Sequence, residues 1–68
     1  MAVYKVIEIV GTSPESWDKA AVAAVERASS TLRDLRIAEV VRQDVQIEDG
    51  KIASFRVRLN VSFRFEDD

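Results

Sequence analysis

The sequence predicts an α+β fold of order β-α-β-β, with a three-stranded antiparallel sheet (order 1-3-2) packed on one helix. Three stretches carry this expectation: the β-branched run Val3 to Val10, the capped periodic segment after Ser13-Pro14, and the alternating run Phe55 to Phe65. Residues 1–68 make a single domain, without linker, repeat or low-complexity stretch. A domain of this size buries only about 60% of its unfolded surface, which leaves it marginal alone. Cysteine and histidine are both absent, so disulfides, zinc–thiolate sites and thiol nucleophiles are excluded. Oligomerisation is the support that remains.

The first strand carries apolar residues on both faces: Val3, Ile7 and Ile9 on one, Tyr4, Val6 and Val10 on the other. Such a strand is expected to be covered twice, by the helix and by a neighbouring subunit. Gly11-Thr12-Ser13-Pro14 ends it. Ser13 is the expected N-cap and Pro14 the first helical residue, where a missing N–H costs nothing. Glu15 and Asp18 suit the positive end of the helix dipole. Trp17, Ala21, Ala24, Val25, Ala28, Leu32 and Leu35 recur in steps of three and four and predict one apolar stripe. Ala20, Ala23 and Ala24 keep the helix slim enough to lie close to a sheet.

The second strand is predicted from about Arg36 to Glu48, with Ile37, Val41, Val45 and Ile47 on one face. Asp49-Gly50 is a hairpin signal. In the third strand Phe55, Val57, Leu59, Val61, Phe63 and Phe65 face one way, and Ser54, Arg56, Arg58, Asn60, Ser62 and Arg64 the other. A strict two-residue turn would set Val41 opposite Arg58. A three-residue loop with Gly50 left-handed sets Val41 opposite Leu59 and Ile37 opposite Phe63, which aligns the apolar faces and is preferred. The helix returns the chain, so an antiparallel sheet needs the third strand in the middle.

The net charge of −2 argues against nucleic acid or an anionic membrane as partner. No apolar run reaches the length of a membrane span. MAVYKVIEIVG shows no signal-peptide pattern, which predicts a cytoplasmic protein. Gly11-Thr12-Ser13 before a helix reads as a cap rather than an anion site, since a GxGxxG pattern and a P-loop lysine are both missing. Arg56, Arg58 and Arg64 form either an anion patch or a set of ion pairs with Glu39, Asp44 and Glu48. Trp17 reads as a core or interface anchor. Asp44, Glu48, Asp49 and the tail Glu66-Asp67-Asp68 offer oxygen ligands for a hard cation, but without EF-hand spacing. Lys5, Lys19 and Lys51 are the bases left for a serine nucleophile, and no spacing supports one, so no enzyme is expected.

Together these residues resemble the dodecin family over nearly the whole chain. The resemblance rests on Tyr4-Lys5-Val6-Ile7-Glu8-Ile9-Val10-Gly11-Thr12-Ser13, on the helix, on Ala38-Glu39-Val40, and on Val61-Ser62-Phe63-Arg64-Phe65-Glu66. It implies a hollow homododecamer of β-α-β-β subunits that binds and stores a flavin (riboflavin or FMN) without catalysis. In the family pattern, flavins stack in pairs near three-fold axes against a tryptophan that opens the second strand, and a glutamine on the third strand meets the ring's polar edge. The matching positions here are Ile37 and Arg56. They are the candidate cofactor-binding residues, and both depart from the pattern. By simple alternation the two fall on faces that one subunit does not reconcile, so the pocket is expected to be shared between subunits. The chain is also similar to the calcium dodecins through Gly11-Thr12-Ser13-Pro14, Ser16-Trp17, Ile37 and Arg58-Leu59. That subgroup implies calcium, with no ligand set assigned. A calcium-binding dodecin without physiological flavin, and a ligand-free shell, are the alternative readings.

Overall fold

The computed structural model describes residues 1–65; the acidic tail Glu66-Asp67-Asp68 lies outside the described residues. The elements are β1 (Tyr4–Ser13), α1 (Trp17–Ser29), β2 (Leu35–Glu48) and β3 (Lys51–Arg64). β3 lies between β1 and β2 and runs antiparallel to both, giving the order β1-β3-β2. The expected fold and strand order are therefore those of the molecule.

One side of the sheet packs on α1. The core is Val57, Leu59 and Val61 of β3 against Ala20 and Ala24, with Ile7, Ile9, Ala21, Val25 and Leu35 packed around it. Alanines on the helix let it lie close. At Gly11 a Cβ would run into the Ala20 carbonyl oxygen and meet the Ala24 Cβ at 2.8 Å, so only glycine fits this crossing.

The helix begins later than expected. β1 continues through Ser13, whose Oγ accepts from Glu15 N at 3.0 Å and so stabilises the turn rather than the helix. The N-cap is Ser16, which accepts from Lys19 N at 3.1 Å, and Pro14 precedes it. The helix also ends earlier, at Ser29. Leu32 falls in the following turn and Leu35 opens β2, so the last two residues of the predicted stripe are not helical. Asp34, at φ 59°, reverses the chain between them.

The hairpin register is a correction. Asp49 and Gly50 form a two-residue turn, both with positive φ (53° and 75°), and Glu48 faces Lys51. The adjustment expected of a longer loop is made by a bulge at Ala53, after which Val45 faces Phe55. A second bulge at Val41 reverses it: Val40, not Val41, faces Leu59, and Ile37 faces Ser62 rather than Phe63. Ile37 thus does not share the helix side with Val45, and Val41 is the bulged residue with no partner in the β3 register. Phe63 is only half-buried, and Phe65 is 54% exposed. Uniform alternation assigns both to the core; the sheet outruns the helix that would cover them.

Candidate functional site

Antiparallel partners point the same way, so the side of the sheet turned from α1 can be read from the register. β3 supplies Arg56, Arg58, Asn60, Ser62 and Arg64. β1 adds Thr12, Val10, Glu8, Val6 and Tyr4 opposite them, and β2 adds Asp44, Arg42, Glu39 and Ile37. This open face is polar along its centre and apolar at its margins, where Val6, Val10 and Ile37 are exposed.

Ile37 and Arg56 lie on this same face, contrary to the alternation argument, because the Val41 bulge shifts parity between them. They are still far apart. Ile37 stands opposite Ser62, six steps along β3 from Arg56, roughly 20 Å at the usual strand rise. One chain does not bring them to one small ligand. Ile37 is 67% exposed, and its carbonyl accepts from Ser62 Oγ at 3.4 Å.

Arg56 is held by a fork. Its Nε and Nη2 donate to the two carboxylate oxygens of Asp44, at 2.7 and 3.0 Å. That hydrogen bond, reinforced by the charges of Arg56, Arg42 and Arg58, keeps the Asp44 carboxyl below its ordinary pKa of 3.8. Asp44 also raises Arg56. Asp44 is tied down from its backbone as well, since Trp17 Nε1 donates to its carbonyl at 3.0 Å. The indole meets the Phe55 ring edge to face, with centroids 5.1 Å apart. Trp17 is thus an anchor between the start of α1 and the hairpin, as expected of it.

Of the expected acidic partners only Asp44 pairs with an arginine through a described salt bridge. Arg58 pairs instead with Glu8 of β1, at 3.1 Å. Sequence reasoning missed Glu8, although it is the one charged residue between the outward valines of β1, directly across from Asn60. Both carboxylate oxygens of Asp44 are engaged by Arg56. Among the described residues, no three acidic side chains come together as a metal site. None of the described helices is long and apolar enough to cross a membrane.

Fold and surface define a class: a small β-α-β-β domain whose sheet covers one helix on one side and leaves apolar residues exposed on the other. The family model for dodecin matches residues 3–66, and the chain belongs to the dodecin family. The calcium dodecin of Mycobacterium tuberculosis is 47% identical over 94% of this chain and 90% of its own length. The dodecin of Streptomyces coelicolor superposes with a TM-score of 0.93 at 48% identity, covering 98% of this chain and 96% of that one. The solved M. tuberculosis calcium dodecin, described as having a novel calcium-binding site, gives 0.85 at 47% identity, with 98% of this chain and 96% of that one covered.

Proposed function

We propose that the chain is a non-enzymatic subunit of a closed homododecamer that binds and sequesters a small ligand in the cytoplasm. The observation that carries assembly is the exposed apolar surface. Val6, Val10, Ile37, Val40, Val41, Ile47 and Ile52 are each about half exposed or more, while among the described residues the fully buried large side chains number three. That balance suits a subunit finished by its neighbours.

Flavin, as riboflavin or FMN, is the family's ligand and the first reading. Ile37 offers a flat ring an apolar surface to pack on, and Arg56 offers a fixed donor to its polar edge or to a phosphate. Since the two stand apart within a chain, the ligand meets Ile37 of one subunit and Arg56 of another. Calcium is the second reading, favoured by the 47% identity to a calcium dodecin. A shell that holds neither ligand is the third.

The test is titration of the purified oligomer with riboflavin and with FMN, with and without calcium, by flavin and tryptophan fluorescence. Ile37→Trp is expected to tighten flavin binding by roughly tenfold, the worth of an aromatic partner, and to quench the flavin. Arg56→Ala is expected to weaken it. An Ile37→Trp variant that assembles normally but neither tightens nor quenches would move the function to calcium or to the shell alone.

A further inference from the structure

β1 ends at Ser13, opposite Phe55, so Gln46 to Ser54 extend past it as a two-stranded ribbon. Two strands alone are marginal in water. Near the tip, Ile47 and Ile52 face each other across the strands and are 63% and 56% exposed. Glu48 and Asp49 sit beside them. The ribbon continues its own sheet outward, away from its own helix.

At the other edge of the molecule, α1 and β1 bound a groove of about 520 Å³ lined by Ile7, Ile9, Ala23, Ala28 and Leu32, with Arg27 among its walls. β1 is the edge strand there among the described residues. The two features match in kind: an apolar pair flanked by two carboxylates, and an apolar groove with a guanidinium.

We propose that the hairpin tip of one copy docks in the α1–β1 groove of a second copy, with Ile47 and Ile52 in the groove and Glu48 or Asp49 against Arg27. The inference rests on the self-assembly reading and names its contact. The contact is head-to-tail: each copy offers one tip and one groove. Repetition with a closing rotation makes a ring, which a self-complementary two-fold patch does not.

The chain contains no cysteine, so introduced thiols report this contact without background. Ala23→Cys in the groove and Ile52→Cys at the tip are made singly and together and treated with a short bis-maleimide. The double variant is expected to give a ladder of covalent trimers and higher species, since every copy carries both halves of the contact; each single variant stops at dimers. A charge swap supplies a second readout that needs no cysteine. Arg27→Glu should lower the assembled fraction on dilution at least tenfold, and Glu48→Lys with Asp49→Lys should restore it. Wild type at oligomer mass, with neither ladder nor rescue, overturns the docking and leaves assembly standing. Wild type at monomer mass removes the assembly reading itself. A ladder from Ala23→Cys with Phe65→Cys, and none with Ile52→Cys, gives the groove to the C-terminal end and overturns the proposal.

Discussion

On its helix side β3 presents Val57, Leu59 and Val61, each 1% exposed. On its other side the same strand presents Arg56, Arg58, Asn60 and Ser62, with none of them buried. The covered face is apolar and packed on alanines. The open face carries two ion pairs, Arg56 with Asp44 and Arg58 with Glu8, in solvent where such pairs add little to stability. One strand therefore does two jobs. Its inward residues hold the fold together, and its outward residues, with the apolar margins Val6 and Ile37, stay open to solvent and carry the proposed contacts with further copies. Substitutions on the two faces should separate along that line.

The largest effect is expected on the covered face. Leu59→Ala removes a fully buried side chain beneath the helix and should cost about 2–5 kcal/mol. Calorimetry should show a large fall in melting temperature, or no folded assembly at all. Phe63→Ala, two turns of the pleat further on but only half-buried, should cost clearly less. Equal losses would mean that the helix covers more of β3 than the burial pattern shows.

Gly11→Ala tests how closely the layers approach. The added methyl would collide with backbone at Ala20, which side-chain rotation does not relieve. A loss of about 1–3 kcal/mol is expected, the usual range for overpacking. A neutral result would show the helix free to lift from the sheet.

On the open face, Asp44→Asn should change the melting temperature less than either of these, and it should change the acid response more. Asp44 is held below its ordinary pKa by the Arg56 hydrogen bond, so the folded state favours its charged form. The pair's contribution is present above the unfolded aspartate value of about 3.9 and is lost as the pH falls through the lower folded value. Wild type and Asp44→Asn should thus differ at neutral pH and converge in acid. Parallel curves down to the lowest pH would place the stabilising role of Asp44 elsewhere, for example in the carbonyl that Trp17 binds.

The sequence carried the strand order, the slim helix and the two-faced β3, because these follow from period and direction alone. It carried the register of β2 less well. The pattern of Ile37, Val41, Val45 and Ile47 reads as one clean face only if the register never slips. The register slips three times along β2, and the slip at Val41 moves Ile37 to the open side. A bulge leaves no mark in a sequence of β-branched residues. Ser13 and Ser16 are equally good caps by residue type, and the choice between them is made by how far β1 stays paired with β3. Arg56 was legible as an ion-pairing residue; that its partner would be fixed by an indole from α1 was not, since the two are joined only by the tertiary fold.

The proposed assembly covers the surface left open by one chain with further copies of it. The direct measurement is the mass of the purified protein by light scattering coupled to gel filtration at micromolar concentration. Twelve chains of 7.7 kDa give about 92 kDa, and a single narrow species of that mass, unchanged on dilution, is the expected result. A monodisperse monomer or dimer with the exposed valines and isoleucines still in water would contradict it.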